Sequence, residues 1–333
     1  MDDAVDVAVV GLGWWGQKVL DELAGSTRVR PVLAVDPEPA GRERGEARGL
    51  PTTADLHEAL ADPAVDAVVL CSPHRFHSAQ IVAAAEAGKH VFCEKPFSTT
   101  VADADVALAA VAAAGVQLGV GHERRFEPPV VELQDRCRSG DLGTPLVFEG
   151  NFSQDKFLAL PADNWRLSSV EAPVGPLSAT GIHLVDLAVS VLGDPVEVWA
   201  RLATRATSFG NGDTLSVTLG FESGGTATIT AILTTPFIGR VCVLGSEGWM
   251  EIRDRAHPEA PAGWDVTTRH RDGEPSTRFV PPAPAVRDNL ERFADAVEGR
   301  AEYPVTPADV RATVRAFEAI TRSALSGRVE PVS

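Results

Sequence analysis

The chain has 333 residues, which is long enough for two domains that each bury a core of their own. Its formal net charge of −16 at pH 7 argues against nucleic acids and anionic membranes as partners, because neither is attracted to an acidic surface. The four cysteines have no paired spacing and form no zinc motif with histidine, and no apolar stretch is long enough to cross a bilayer. We therefore expect a cytoplasmic protein with free thiols and without a bound metal.

The stretch from Val5 to Gly16 predicts a strand, a glycine turn and the start of a helix. Val5–Val10 is a near-continuous apolar run rich in valine, typical of a strand that is covered on both faces. The motif G-x-G-x-x-G follows directly, in the order that a dinucleotide-binding turn requires. In such a turn Gly11 permits the tight bend, Gly13 lets the backbone approach a pyrophosphate and Gly16 lets the helix pack on the strand. The predicted cofactor contacts here are Gly11, Leu12, Gly13, Trp14, Trp15 and Gly16.

An acidic residue stands where a dinucleotide site needs one. Twenty residues beyond Gly16, a second valine-rich strand ends at Asp36. A carboxylate at this place can bind the ribose 2′-OH of NAD and repel the additional phosphate of NADP. No arginine or lysine follows within Asp36–Glu38, so the sequence predicts NAD, with NADP the less favoured cofactor.

Short apolar runs and helical patterns alternate from residue 5 to about residue 121. This alternation is typical of a parallel sheet with helices on both faces, and ligands bind such a sheet beyond the carboxyl ends of its strands. The predicted strands are Val5–Val10, Val29–Val35, Asp66–Leu70, His90–Cys93 and Val116–Val120. The segments that follow them contain the glycine turn, Asp36, Ser72–His74, Glu94–Pro96 and Gly121–Glu123. We expect these segments to meet at one edge of a cofactor-binding domain that covers residues 1–122.

Residues 123–333 show a different pattern. A helix is predicted after Pro128, and another over Ser178–Leu192. Long alternating segments from Val196 to Arg253, with glycine-rich turns between them, predict a mostly antiparallel sheet. Residues 256–284 are expected to be irregular with one or two edge strands, and two helices are predicted to close the chain. The second half is therefore predicted to be an α+β domain.

The stretch Ala87–Pro96, A-G-K-H-V-F-C-E-K-P, resembles the glucose–fructose oxidoreductase/inositol dehydrogenase (Gfo/Idh/MocA) family. Similar motifs stand at Ser72–His77, Trp165–Arg166 and Gly181–Asp186, so the resemblance spans nearly the whole chain. It implies an N-terminal Rossmann domain with a doubly wound parallel sheet, and a C-terminal α+β domain with a large, open, mostly antiparallel sheet. It also implies hydride transfer between nicotinamide and a hydroxyl or carbonyl group of a small sugar, polyol or related oxygenated substrate.

The resemblance further implies that the open sheet pairs with a second subunit, giving a homodimer or a homotetramer. Apolar side chains are expected on that face. The candidates are Val217, Leu219, Ile229 and Ile232.

Lys95 and His183 are the predicted catalytic residues. A free lysine has a pKa of about 10.4 and is a poor base at neutral pH, but burial beside a positive nicotinamide ring would lower that pKa. The resemblance assigns Lys95 a polarising or proton-transferring role; the alternative is a solvated lysine before a turn. By resemblance His183 shares the proton transfer or hydrogen-bonds the reacting oxygen, whereas a histidine at the edge of a helical core stripe is more often structural.

The resemblance implies further contacts, for some of which structural alternatives stay open. The cofactor contacts are Ser72, Pro73, His74, His77, Glu94, Lys95 and Glu123. The substrate contacts implied in this way are Lys95, Trp165, Arg166 and His183. Two further candidates are Arg124, for an anionic substrate, and Thr180, for its hydroxyl. Alternatively, His77 only starts a helix and Trp165 belongs to the core. Arg124 and Arg125 either bind an anionic substrate or pair with Glu123 and Glu127.

Ala179 departs from the family pattern, because many members carry aspartate four residues before the histidine. Any proton relay in this chain therefore lacks that carboxylate. A non-catalytic sensor that binds NAD stays open for this reason. A second alternative is a glycosidase or lyase that retains NAD and oxidises its substrate only transiently.

Overall fold

The computed structural model describes residues 4–333 and divides into two compact units. The first unit takes the chain up to residue 123 together with residues 284–311, and the second takes residues 124–283 and 312–333. The sequence boundary places 284–311 in the second domain. In the structure, Leu290 and Phe293 are fully buried in the core of the first unit, where the Phe293 ring lies 5.7 Å from that of Phe92. A late helix that returns to the first unit leaves no local signal in the sequence.

The elements of the described residues follow the predicted order. The strands are β1 (Val5–Val10), β2 (Val29–Val35), β3 (Thr52–Thr53), β4 (Ala67–Leu70), β5 (His90–Cys93), β6 (Leu118–Val120), β7 (Pro145–Ser153), β8 (Pro195–Ala203), β9 (Thr214–Phe221), β10 (Thr226–Ile232), β11 (Ile238–Gly245), β12 (Gly248–Asp254), β13 (Trp264–His270), β14 (Ser276–Val280) and β15 (Glu330–Pro331). The α-helices are α1 (Trp14–Leu23), α2 (Pro39–Glu46), α3 (Leu56–Ala61), α4 (His77–Glu86), α5 (Val101–Ala114), α6 (Pro128–Ser139), α7 (Ile182–Leu192), α8 (Ala285–Val297) and α9 (Pro307–Ser326). Across residues 4–333 no helix combines the length and the apolarity needed to cross a membrane.

Strands β1–β6 form a parallel sheet in the order β3-β2-β1-β4-β5-β6. The strand order reverses between β1 and β4, the point at which open α/β sheets bind ligands. Val7, Val9 and Val69 in the middle of the sheet are fully buried, as their apolar runs predict. The predicted Rossmann fold is confirmed.

Two elements of the first unit, α2 and β3, are absent from the prediction. The helix reads P-A-G-R-E-R-G-E, in which glycine and charge obscure any helical pattern. Its glycines allow close packing, since a Cβ on Gly41 would meet the Asp36 carboxyl carbon at 2.1 Å and one on Gly45 would lie 2.9 Å from the Ala34 side chain. We infer that tertiary contacts, rather than intrinsic propensity, stabilise α2.

The second unit is built on a nine-stranded sheet in the order β14-β13-β12-β11-β7-β10-β9-β8-β15. Neighbouring strands are antiparallel except β7 and β10, which are parallel. One face of the sheet packs on α7 and on the part of α9 that begins at Ala312, so that Phe148, Leu184 and Phe317 share a core. The predicted mostly antiparallel sheet is confirmed. Within 256–284 lie β13, which is paired on both sides, and the edge strand β14.

The open face of this sheet differs from the predicted one. Val217, Leu219 and Ile229 are at most 3% exposed and belong to the core. Thr218 and Thr228, which pair in register across β9 and β10, are exposed instead. Because side chains alternate along a strand, the apolar set covers the core and the threonine set faces outward. The prediction that apolar residues form the open face is wrong for Val217, Leu219 and Ile229, whereas Ile232 is partly exposed.

Candidate functional site

The glycine turn between β1 and α1 is tight at its ends and open in its middle. Gly11 has a φ of +90°, and a Cβ on it would lie 2.9 Å from backbone atoms of Cys71 and Ser72, just beyond β4. A Cβ on Gly16 would lie 1.9 Å from the Gly11 carbonyl oxygen, so the helix packs directly on the turn. Apart from its neighbours in the chain, no atom of residues 4–333 lies within 4 Å of the position that a Cβ on Gly13 would take. This open space at a helix N-terminus without a side-chain cap fits a pyrophosphate held by backbone N–H groups.

The three larger residues of the turn differ in exposure. Leu12 is fully buried in the core of the first unit, so its side chain supports the turn from within. Trp14 is 52% exposed, and its ring centroid lies 5.4 Å from that of the partly buried Trp15. Of the predicted side-chain contacts here, Trp14 is the most accessible.

Asp36 follows β2 at the same edge, as predicted, but its surroundings are more basic than the sequence suggests. Its carboxylate accepts hydrogen bonds from the backbone N–H groups of Leu12 (2.7 Å) and Glu38 (2.9 Å). The Arg42 guanidinium donates to the carbonyl oxygen of Asp36 at 2.8 Å, and that of Arg44 donates to the carbonyl oxygen of Leu12 at 3.0 Å. The expectation that no arginine lies beside this site is wrong, because α2 brings both arginines back toward Asp36.

His77, at the start of α4, joins two other turns of this edge. Its buried ring places Nδ1 2.8 Å from the Pro96 carbonyl oxygen and Nε2 2.9 Å from that of Ser72. A neutral imidazole has one N–H and donates to one of these oxygens at a time, and burial lowers the pKa of His77. The ring thereby holds the turn after β4 against the turn at Lys95, whose peptide bond to Pro96 is cis. Both ring nitrogens are thus engaged inside the unit, and the cofactor contact predicted for His77 stays a prediction.

Glu94 is a buried carboxyl group directly before Lys95. It is 5% exposed and packs on Gly121, just beyond β6, where a Cβ would lie 2.3 Å from Glu94 Oε2. Burial raises the pKa of Glu94 to about 7, although the Trp15 indole and the charge of Lys95 act to lower it. A carboxyl group that titrates near neutral pH makes the charge of this edge depend on pH. Among the other predicted cofactor contacts, Glu123 is buried, and the partly exposed ones are Ser72, Pro73, His74 and Lys95.

In the second unit, His183 is the second residue of α7 and follows a π-helical turn over Leu177–Gly181. Turns of this kind are rare in proteins overall, and those that occur are often found at functional sites. The chain enters the turn through Val174, whose φ of +50° is uncommon for a β-branched residue. The His183 ring is 4% exposed and its centroid lies 5.9 Å from that of Phe152.

Two arginines that the sequence considers for anion binding are neutralised inside the second unit. Arg124 is 1% exposed and donates to the carboxylates of Glu127 and Asp254 at 2.8–3.2 Å. Arg125 forms a two-pronged ion pair with Asp186, both hydrogen bonds being 2.7 Å long. Carboxylates therefore balance the charge of Arg124, while its Nη1 has no hydrogen-bond partner among the described residues. The substrate contact predicted for Arg124 stays a prediction.

The remaining predicted substrate contacts fall into two groups. Thr180 is 1% exposed and donates its hydroxyl to the Pro176 carbonyl oxygen at 3.3 Å, so this group is used within the π-helical turn. Trp165 and Arg166 lie on a short 3-10 turn and are partly exposed. The guanidinium of Arg166 stacks on the Trp165 ring at 4.3 Å. The substrate contacts predicted for this stacked pair stay a prediction.

One histidine that the sequence leaves aside belongs to the cluster around His183. The His257 ring lies 5.6 Å from the Phe152 ring and 5.3 Å from the Phe237 ring, and its Nε2 lies 2.7 Å from Gln154 Oε1. The Phe152 ring therefore lies within 6 Å of two imidazole rings. His257 lies in a stretch without hydrophobic periodicity, so no sequence signal places it there.

Comparison with known families identifies the chain. A model of an oxidoreductase family with an NAD-binding Rossmann fold matches residues 5–122, and a model of the GFO/IDH/MocA C-terminal domain matches residues 130–251. The chain belongs to the Gfo/Idh/MocA family. The resemblance carried by A-G-K-H-V-F-C-E-K-P is confirmed, and the chain is an oxidoreductase of this family.

Individual relatives cover most of the chain. The scyllo-inositol 2-dehydrogenase (NAD(+)) of Bacillus subtilis (strain 168) is 30% identical over 267 residues, which cover 77% of this chain and 76% of that protein. The D-xylose 1-dehydrogenase (NADP(+)) 2 of Haloferax volcanii is 29% identical over 282 residues, covering 84% of each. The crystal structure of aldose-aldose oxidoreductase from Caulobacter crescentus, complexed with glycerol, has a TM-score of 0.87 at 27% identity and covers 98% of this chain and 99% of that one.

Replacing Glu94 by glutamine should change how stability depends on pH. Because the pKa of Glu94 is raised from 4.5 to about 7, the folded protein binds more protons than the unfolded chain between these pH values. The stability associated with the protonated carboxyl is then lost as the pH rises through this window. Relative to that of Glu94→Gln, the free energy of unfolding of the wild type should fall by roughly 3 kcal/mol at most between about pH 5 and pH 8.

Chemical denaturation of both proteins across this pH range measures the effect. Glu274→Gln, which changes an exposed carboxylate, serves as the control. Its free energy of unfolding should differ from that of the wild type by the same amount at every pH. A Glu94→Gln difference that is equally independent of pH would contradict the raised pKa.

Proposed function

We propose that the protein is an NAD-dependent oxidoreductase that transfers a hydride between nicotinamide and a small sugar, polyol or related oxygenated compound. The reacting group is a hydroxyl or a carbonyl. The observation that carries the proposal is the glycine turn, closed at Gly11 and Gly16 and open at Gly13, at the point where the strand order reverses. The inositol and xylose dehydrogenases among the relatives support the substrate class.

Lys95 and His183 are proposed to handle the proton. Bound nicotinamide supplies the hydride chemistry, and the protein must polarise the carbonyl or accept the proton of the hydroxyl. Lys95 follows β5 beyond its carboxyl end, where its ammonium can polarise a carbonyl and its neutral form can accept a proton. Ionised Glu94 favours the ammonium form, so the protonation states of the two groups are coupled. The imidazole of His183 would give or take a proton at a ring nitrogen.

Lys95→Ala and His183→Ala should each lower kcat by about 10²–10⁴-fold, the usual contribution of a positioned acid or base. The measurement is NADH formation from NAD over a panel of polyols, aldoses and sugar acids, with NADH affinity determined in parallel. Lys18→Ala and His270→Ala change surface side chains of the same types and should leave kcat within about twofold. Full activity in both catalytic variants would refute the assignment.

We propose NAD rather than NADP as the cofactor. The carboxylate of Asp36 is placed at the end of β2, where an acidic side chain favours a ribose hydroxyl over a phosphate. Arg42 and Arg44 act in the opposite direction, because guanidinium groups attract phosphate. Their hydrogen bonds to backbone carbonyl oxygens hold these arginines near Asp36. We propose that the negative charge of Asp36 outweighs them and makes NAD the preferred cofactor.

Asp36→Asn keeps the shape of the side chain and removes its charge. With both arginines in place, the ratio of KM for NADP to KM for NAD should fall by about tenfold or more. Glu38→Gln removes an exposed charge two residues away and should leave this ratio within about twofold. Steady-state kinetics with both cofactors tests the proposal, and a wild-type preference for NADP would refute it.

We also propose that the open face of the nine-stranded sheet forms a homodimer or homotetramer. This face is broad and mixed in character, with outward-facing threonines and a Trp199 side chain that is 40% exposed. On it Arg240 forms ion pairs with Glu149 and Glu251. Sedimentation showing only a 35.2 kDa monomer at micromolar concentration would count against this interface.

The free thiols of all four cysteines support a reducing compartment, which we propose to be the cytoplasm.

A further inference from the structure

Arg166 differs from the other partly or fully buried arginines discussed above for the second unit. Arg124 and Arg125 each face carboxylates at hydrogen-bond distance. Arg166 stacks on the Trp165 ring at 4.3 Å, and within residues 4–333 no carboxylate forms an ion pair with it. Withdrawing a guanidinium from water without a counter-charge is unfavourable, so such a group favours an anion supplied from outside.

The backbone of Arg166 is fixed on both sides. Its N–H donates to Asn164 Oδ1 at 3.0 Å, and its carbonyl oxygen accepts a hydrogen bond from Asn211 Nδ2 at 2.8 Å. Asn211 is 2% exposed and also donates to the Ala172 carbonyl oxygen at 2.9 Å. The guanidinium is therefore presented from a rigid support, which reduces the entropy lost when it binds a ligand.

The same asparagine connects this loop to the turn before His183. The backbone carbonyl oxygen of Asn211 accepts a hydrogen bond from the Gly175 N–H at 2.7 Å, two residues before the π-helical turn begins. Within that turn, Ala179 presents a methyl group where the family resemblance leads one to expect a carboxylate. Burial lowers the pKa of Arg166, with no carboxylate acting in the opposite direction.

We propose that Arg166 binds an oxyanion on the substrate, so that the enzyme acts on a polyhydroxylated acid or its phosphate ester rather than on a neutral polyol. The planar guanidinium matches a carboxylate or a phosphate with two parallel hydrogen bonds. Stacking on Trp165 holds its plane while leaving its edge for the ligand. This inference rests on the function proposed above and narrows its substrate class.

The test compares the binding of matched ligands to the full-length protein in the presence of NADH. The ligands are gluconate, sorbitol and sorbitol phosphate, and likewise glucuronate, glucose and glucose phosphate. At least one charged ligand should bind about tenfold to a hundredfold more tightly than its neutral counterpart, the range expected for a charge-assisted hydrogen-bonded pair. The oxyanion is identified by which charged ligands, the carboxylates or the phosphates, bind more tightly than the neutral ones.

Arg166→Gln should abolish this preference, and Arg166→Lys, which keeps a charge without the planar fork, should retain part of it. Arg205→Gln is the matched control, because Arg205 is an exposed arginine of the same unit and its removal changes the net charge equally. The proposal is overturned if no charged ligand of the panel binds better than its neutral partner. It is equally overturned if the preference survives Arg166→Gln.

Turnover separates this inference from the function on which it rests. In one outcome, an acid of the panel binds and its binding depends on Arg166, but no acid of the panel yields NADH from NAD. This outcome would support the anion site and refute the proposed reaction. Oxidation of the acids or phosphate esters of the panel with a kcat/KM that Arg166→Gln leaves unchanged would support the reaction and refute the anion site.

Discussion

The structure of the first unit depends on the close approach of the turns that follow β1 and β4. A side chain at Gly11 would collide with the backbone at Cys71 and Ser72, and one at Gly121 would collide with the carboxyl group of Glu94. These two glycines let the strand ends converge, while the space at Gly13 stays open. The edge thus combines a helix N-terminus that suits phosphate, a buried acid that titrates near neutral pH and the adjacent lysine. The proposed cofactor site and the proposed role of Lys95 both follow from this convergence.

In the second unit, the role of each buried or partly buried arginine discussed here depends on whether a carboxylate balances its charge. Buried carboxylates neutralise Arg124 and Arg125, which makes both arginines part of the framework around α6 and α7. Asn211 fixes the backbone of Arg166, whose guanidinium stacks on the Trp165 ring and has no carboxylate ion-pair partner within residues 4–333. Arginines that look alike in the sequence therefore divide into structural and ligand-seeking ones by their partners, and this division leads to the anionic substrate that we propose.

The sequence predicts those features that depend on neighbours in the chain. The glycine turn, Asp36 and the apolar strands are local patterns, and the parallel and antiparallel sheets that they predict are confirmed. Features set by distant residues could not be read in this way. The partners of Arg124 include Asp254, which is 130 residues away, and α2 is stabilised by contacts of its glycines. Alternation in β9 and β10 reveals two faces, but the expectation of a subunit interface led us to assign the apolar face to the outside.

The most direct test of the account is the binding of NADH to Gly13→Val. Gly13 has a φ of −64°, which any residue can adopt, and open space surrounds the position of its Cβ, so the variant should fold with an unchanged melting temperature. If this space holds a pyrophosphate, the valine side chain should lower the affinity for NADH by at least about tenfold, measured by calorimetric titration. A folded variant that binds NADH as tightly as the wild type would contradict the account, as would a wild type that binds none.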